Sequence, residues 1–345
     1  MAYPYWHKDK TMKLPEPLDH ISTMIDNYHA EQQEPPRPHL GCSMLGHHCD
    51  RWLWLSFRWA VVEQFQGRIL RLFRRGHMEE DTIIKDLRNV GIDIRALDKG
   101  RQFRVDFGAH VSGSVDGVIY SGVPQARKKN HIAEFKTHSK KSFDDLVKKG
   151  VEQSKPQHYA QMQVYMLGME VDRALYLAVC KDDDRIHTER VKLDKPFAEK
   201  LVAKGKRIAL SDRMPEPCSG AGPDWYQCKW CPAYSMCHKG EATEQANCRT
   251  CAHSTACEDS TWRCERHNAD NIPLDYQRQG CDNHVPHPDM VPWQIKEADS
   301  QWEAVYIING NEVLCGEGGF NGKEILDNPE ACTPETLAIK KAFGG

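Results

Sequence analysis

The sequence predicts a mixed α/β core followed by a cysteine-rich, metal-binding segment. Three observations carry this. Helical and strand periodicities succeed one another as helix, strands, helix, strands and helix up to about residue 210. From Pro215 the periodicity stops, and Cys, Pro and Gly take over. Nine of the 14 cysteines lie between Cys218 and Cys281.

Taken in order, residues 14–33 read as an amphipathic helix that the proline-rich "EPPRPH" ends. The aromatic-rich stretch Ser43–Phe65 has the apolar spacing of a buried helix, and Ile69–Asn89 that of another, stopped by Gly91. Period-2 segments follow: "QFRVDF", "VSGSVDGVIY" and "HIAEFKT", the last two joined by the hairpin-like "SGVPQARKKN". A helix is expected over Lys155–Met169, then strands "RALYLAVC" and "IHTERVKL", then a helix over 195–210. Beyond Trp302, "AVYIINGNEVL" reads as a hairpin turning at Asn309-Gly310.

At 345 residues the chain can bury a full core and holds more than one unit. The expected division is an N-terminal helix and linker at 1–39, a core at 40–240, a cysteine-rich module at 241–290 and a C-terminal hairpin and tail at 291–345. The net charge of −3 argues against a generally basic coat. It leaves room for a local basic groove, since Lys and Arg cluster at 67–75, 127–129 and 140–149, although each cluster alone reads as a solvated face. The first residues form no apolar signal region, and no stretch approaches the ~20 apolar residues of a membrane span. The expected location is therefore the cytoplasm, with no membrane partner. In such a reducing compartment, cysteines at this density point to metal rather than disulfides.

The candidate chemistry centres on "HIAEFKTHSK". Glu134 and Lys136 are two apart on a strand, so their side chains share a face. One hairpin earlier, Asp116 sits in "SGSVDGV" between Gly113 and Gly117, and pairing the two strands brings it beside Glu134. Two carboxylates in one pocket repel unless a cation lies between them, and such oxygen ligands suit Mg²⁺ or Mn²⁺. Lys136 could then polarise a water or stabilise charge developing on a phosphate.

Asp followed by Glu-x-Lys on neighbouring strands resembles the PD-(D/E)XK nuclease superfamily. Gly76-His77 in "RRGHMEED" looks like the first motif of the RecB-like branch, and Gln161 with Tyr165 in "QHYAQMQVYM" resembles its Q-x-x-x-Y motif. Singly, each has an ordinary reading as a surface or packing residue; their order along the chain points to the family. The resemblance covers about Leu40–Asp194, with Val115 where the family name has Pro, and leaves open whether Glu79 or Glu80 joins the site. It implies a restriction-endonuclease-like core with a mixed sheet flanked by helices, and His77, Asp116 and Glu134 as holders of the ion. It further implies Lys136 as the third catalytic group beside Asp116 and Glu134, and Gln161 and Tyr165 as DNA contacts. His138, although chemically tempting, has no place in these motifs.

Among the cysteines, Cys228-x2-Cys231-x5-Cys237 supplies three soft ligands, and Cys49 in "HHCDRWLWL" is the candidate fourth, ahead of Cys42. This arrangement resembles the iron–sulfur staple of RecB-like nucleases, which implies a [4Fe–4S] cluster tying the ends of the domain together; spacing alone also admits zinc. In the second group, Cys248-x2-Cys251 pairs naturally with Cys264 and Cys281 in a zinc-ribbon-like module, with Cys257, His267 and His284 as competitors. Such a module either grips DNA or a partner, or only holds its own fold together. Cys180, Cys218, Cys315 and Cys332 have no partner at ligand spacing and read as ordinary thiols.

Together these imply a Mg²⁺- or Mn²⁺-dependent deoxyribonuclease of the type found in tailed bacteriophages, which would place it in bacterial host cytoplasm. An exonuclease acting in recombination, repair or degradation is the expectation, with Arg68, Arg71, Arg74, Lys140 and Lys141 following the DNA backbone. A recombination or replication protein would be its partner. The alternatives are a non-catalytic DNA- or protein-binding module on a nuclease scaffold, and a restriction-type endonuclease.

Overall fold

The computed structural model describes residues 20–298 and 302–343. The chain divides into two compact units, Met1–Glu34 with Gln64–Arg75, and Pro35–Glu63 with Gly76–Gly345.

The smaller unit contains helix α1 (His20–Ala30); the rest of the expected helix, residues 14–19, lies outside the described residues. Asp26 pairs with Arg71 at 2.9 Å. Gln33 brackets the Phe65 backbone, donating to its carbonyl at 2.7 Å and accepting from its N–H at 3.2 Å. A side chain at Gly67 would collide with the Asp26 carbonyl, so this close approach requires glycine.

In the larger unit, α2 (Asp50–Phe57) is all that forms of the expected Ser43–Phe65 helix. A 3₁₀ turn at Cys42–Met44 precedes it, and Trp59, at φ 54°, breaks the helical path two residues past its end. The helix α3 (Gly67–Asn89) is divided between the units at Arg75 and Gly76.

A five-stranded sheet follows, in the spatial order of the chain: β1 (Asp93–Arg95), β2 (Gly117–Ser121), β3 (His131–His138), β4 (Arg173–Cys180) and β5 (Ile186–Lys192). All neighbours are antiparallel except β3 and β4. A parallel pair needs a long crossover, and two helices supply it, α4 (Lys140–Ser154) and α5 (Pro156–Gly168). Then α6 (Lys195–Ala209) closes the core, with Asp194 capping it by accepting from the Phe197 N–H at 3.1 Å.

The strands are buried on both faces. Ala133, Phe135, Leu175 and Leu177 pack with Ile83, Ile84 and Leu87 of α3. Ile132, Ala174, Tyr176 and Ala178 meet Met162, Tyr165 and Met166 of α5 in the main core. Each of the larger apolar side chains contributes roughly 1.5–3 kcal/mol by burial, which fixes the register of β3 and with it the position of Glu134.

"VSGSVDGVIY", expected as one strand, is two. Val111–Ser114 belongs to a small sheet with Leu40–Gly41 and Arg104–Asp106, whereas β2 belongs to the large one. The chain changes sheets at Val115-Asp116, between two glycines.

The cysteine-rich segment has little regular structure but is anchored in the core. Arg249 is buried with its guanidinium 3.7 Å from the Trp59 ring centre and 4.9 Å from that of Trp262. It donates to the carbonyls of Phe57 and Pro38, both at 2.9 Å, and to Gln277 Oε1. The C-terminal strands Gln294–Ala298, Glu303–Ile308 and Asn311–Gly316 form their own antiparallel sheet, turning at Asn309 (φ 51°) and Gly310 (φ 83°). No helix among the described residues is long and apolar enough to cross a membrane.

Candidate active site

Glu134 is fully buried on β3, facing the α5 side. Its Oε1 accepts from Lys136 Nζ, while Oε2 has no hydrogen-bond partner among the described residues. Lys136 also donates to the Phe135 carbonyl at 3.1 Å and keeps 26% of its side chain exposed. A buried carboxylate with a bare oxygen is costly, so its surroundings matter.

Those surroundings are acidic. Asp116 stands at the sheet-changing bend, its Oδ2 accepting the Phe135 N–H at 3.0 Å. The register Gly117↔Ala133 therefore holds Asp116 beside Glu134. Burial, opposed by Lys136 and reinforced by Asp116 and Glu80, pushes Glu134 up to about 8. Burial disfavours the Lys136 ammonium, but Glu134, Asp116 and Glu80 outweigh it and raise the amine to about 12. Of the two glutamates left open by the sequence, Glu80 is the one that shares this field. It is raised by its own burial and by Asp116, while Lys136 and His77, one turn away on α3, pull it down.

The α5 residues come to the same place. Gln161 and Tyr165 are buried, and Gln161 hydrogen-bonds the Tyr165 hydroxyl. Burial and then the Glu134 charge raise that phenol. Gly113 makes the approach possible, since a Cβ there would lie 3.0 Å from the Tyr165 hydroxyl and from Cys42 Cβ. The structure thus brings Asp116, Glu134, Lys136, Gln161 and Tyr165 to one neighbourhood, whereas exposed His77 is linked to it only through Glu80, one turn away on α3. As the side chains stand, no three His, Cys, Asp or Glu groups among the described residues meet closely enough to cage an ion.

The basic residues are divided between the two units. Arg68, Arg71 and Arg74 belong to the smaller unit, where Arg71 is taken by Asp26 and Arg74 meets His29 at 3.4 Å. Lys140 opens α4 next to Asp182 and Asp183, and Lys141 beside it is exposed.

Sequence reasoning missed a polar chain behind Lys136. Tyr176, in register with Glu134, has its hydroxyl 2.9 Å from both His138 Nε2 and His158 Nδ1. Ser142 holds the other His138 nitrogen at 3.2 Å. Burial, with help from Lys155 and Lys136, holds His138 down at about 4; burial and Lys136 hold His158 at about 3. The period-2 placement of His138 with Glu134 and Lys136 was the signal available for it.

Among the cysteines there is no disulfide in the described residues. Cys49 begins α2, and Cys231 and Cys237 each feel both Cys49 and Cys228. Burial and these neighbours push Cys231 up to about 11, whereas an Arg51 hydrogen bond offsets part of the rise at Cys237. Cys218, set aside as an ordinary thiol, joins them: it hydrogen-bonds Cys49 and lies in the field of Cys228. Its distance in sequence from any C-x2-C spacing hid it. Cys42 lies instead beside Tyr165. In the second group, Cys248, Cys251, Cys264 and Cys281 line one cavity, together with His267 and His284. Cys257 is not among the residues lining it.

No family model and no curated protein matches the chain. Among solved structures, the chain is similar to SSO0001, with a TM-score of 0.38 at 14% identity over 63% of this chain and 95% of that one. It is similar to the alkaline exonuclease LHK-Exo from Laribacter hongkongensis, in its complex with dAMP, with a TM-score of 0.38 at 14% identity over 53% of this chain and 89% of that one. A phage-related exonuclease from Haemophilus somnus gives 0.28 at 19% identity over 39% and 66%.

Proposed function

We propose that the chain is a divalent-metal-dependent deoxyribonuclease, working as an exonuclease on DNA ends. The observation that carries this reading is the buried Glu134 carboxylate, with one oxygen bare, set among Asp116, Glu80 and Lys136. Three carboxylates and one ammonium leave an excess of negative charge in a desolvated place, which is what a hard cation would neutralise.

The chemistry of the donors, oxygen from carboxylates with one imidazole, suits such an ion. Asp116 and Glu134, with His77, would hold Mg²⁺ or Mn²⁺, and Glu80 is a further oxygen donor in reach of the same field. When bound, the ion would supply an activated water and neutralise charge on the scissile phosphate. The chain's own residues do the remaining work. Lys136 presents an ammonium, kept protonated by its carboxylate neighbours, to the charge that develops on the phosphate in the transition state. Gln161 and Tyr165 orient the DNA, and Asp116 is fixed for its role by the Phe135 N–H.

The reading extends to the rest of the chain. Residues 40–240 would be the nuclease core, with Cys49, Cys228, Cys231 and Cys237 holding a [4Fe–4S] cluster as a staple. Support comes from Cys49 lying in the field of two loop thiols that are far from it in sequence. Residues 1–39, 241–290 and 291–345 would be the leading helix, the cysteine-rich module and the tail. Cytoplasmic action beside a recombination or replication protein, in a phage-infected host, fits that work.

The test is incubation of the purified protein with linear and covalently closed circular DNA in Mg²⁺ or Mn²⁺. Degradation of the linear form with sparing of circles is expected, and Lys136→Ala should bind DNA while cutting at least about 10²-fold more slowly. Undiminished Mg²⁺-dependent cleavage by Lys136→Ala would sink the assignment.

A further inference from the structure

The loop that carries the first cysteine group also carries aromatic rings that the core does not use. Trp230 is 86% exposed and Tyr226 65%. They stand four residues apart across the single helical turn Tyr226–Lys229, a spacing that places two side chains on one side of a helix. Lys229 lies between them, exposed and paired with Asp224 at 3.5 Å. Two large rings standing together in solvent mark an interaction surface.

Trp225, one residue before the turn, leads inward. Its ring meets Tyr226 at 6.2 Å and 76°, and His48 at 5.3 Å and 77°. With His48, Lys155, His158 and Gln227 it lines a cavity of about 590 Å³, within the roughly 300–1,000 Å³ of sites that enclose a small organic group. Gly46 lets the segment before His48 lie directly on α5, since a Cβ there would fall 2.6 Å from that of Ala160. Lys155 supplies a cation to the wall. Its Nζ donates to the Ser154 carbonyl at 3.2 Å and stays 4.0 Å from the Asp145 carboxylate, outside hydrogen-bond reach. His158 links the cavity to the candidate active site: its Nδ1 is 2.9 Å from the Tyr176 hydroxyl, and Tyr176 is in register with Glu134. All of these residues belong to the larger unit.

We propose that this track, from Trp230 and Tyr226 through Trp225 into the cavity beside His158, binds a single strand of DNA and leads it to Glu134. Unpaired bases present a π-face to an aromatic ring, whereas in a duplex those faces are covered by neighbouring base pairs. Rings with cations at intervals, Lys229 outside and Lys155 within, suit a strand in which bases and phosphates alternate. The cavity wall mixes ammonium, imidazole and amide groups, which an apolar partner surface would leave unpaired.

That the strand is DNA, bound in order to be cut, rests on the nuclease reading, so binding is measured apart from cleavage. The experiment is fluorescence anisotropy of a labelled oligothymidylate, and of a blunt duplex of the same length, with the full chain in EDTA. Tyr226→Ala/Trp230→Ala, at exposed positions, should weaken oligothymidylate binding about 10-fold or more and leave the duplex within about 2-fold. Tyr226→Phe/Trp230→Phe, which keeps both rings, should retain it. Lys155→Gln should weaken it too and lower the slope of log affinity against log salt by about 0.7, one phosphate contact on a single strand. No binding of oligothymidylate by the intact chain, unchanged affinity in either weakened variant, or an equal loss on both ligands would overturn the proposal. The two readings fail separately. Ring-dependent binding by a protein that cleaves no DNA in Mg²⁺ removes the nuclease reading alone, whereas Mg²⁺-dependent cleavage with ring-independent binding removes this one alone.

Discussion

The Phe135 N–H donates to Asp116 Oδ2 at 3.0 Å, across the junction between the two sheets. A carboxylate on an otherwise irregular bend is thereby tied to the central strand, one residue from Glu134. Asp116→Asn keeps the size and one oxygen acceptor but removes the charge. It should fold and bind DNA, and cut about 10²-fold or more slowly. Gel assays on linear DNA together with circular dichroism measure both halves of that expectation.

The proton balance of the buried histidines predicts an acid limit to stability. Burial first of all holds His39, His47, His110, His138, His284 and His287 down at about 4, and His158 at about 3. Between the ordinary histidine value of about 6.5 and those folded values, the unfolded chain binds more protons than the native one. Stability is therefore full above about pH 6.5 and falls as pH drops toward 4. Urea midpoints measured from pH 7.5 to 4.5 should decline throughout that window; a flat profile would contradict the buried neutral imidazoles.

Tyr176→Phe removes the hydroxyl shared by His138 and His158 and leaves two buried ring nitrogens without it. The cost should be about 1–3 kcal/mol in stability, the desolvation penalty of unsatisfied polar groups. Because the Tyr176 hydroxyl is taken up by His138 and His158 and the phenylalanine ring keeps the packing beside Glu134, cleavage by the folded fraction should persist. Loss of cleavage without loss of stability would instead place this chain of side chains within the reaction.

Arg249→Ala should cost about 3 kcal/mol, the upper end of ordinary single-substitution effects, since it empties a cation site enclosed by three aromatic rings and frees the carbonyls of Phe57 and Pro38. Burial already lowers this guanidinium to about 9. Arg249→Lys should recover little, because an ammonium cannot reproduce the planar, multiply hydrogen-bonded fit. Thermal melts of the two variants give the comparison.

Much of the site's placement was readable in the sequence. The alternation around Glu134 and Lys136 marked their shared face, and the i, i+4 spacing of Gln161 and Tyr165 marked theirs. The helix Lys140–Ser154 was not readable, because its charged run masks only three buried positions and Gly150 interrupts it at φ 76°. The split of "VSGSVDGVIY" was hidden because both halves alternate like one strand; only the tertiary pairing of two different sheets separates them. Cys218 and Tyr176 were invisible for a related reason: each acquires its partners through contacts between distant segments, which no local spacing encodes.

Trp59 and Trp262 belong to distant segments, yet both rings stack on Arg249, whose reach to the Phe57 carbonyl spans 192 residues of sequence. Indole emission is therefore an internal gauge of whether the cysteine-rich segment is seated. Loosening that segment with Cys248→Ser/Cys251→Ser should shift that emission to the red while far-ultraviolet circular dichroism from the mixed sheet stays unchanged, so that light alone separates loosening of the appendage from unfolding of the core.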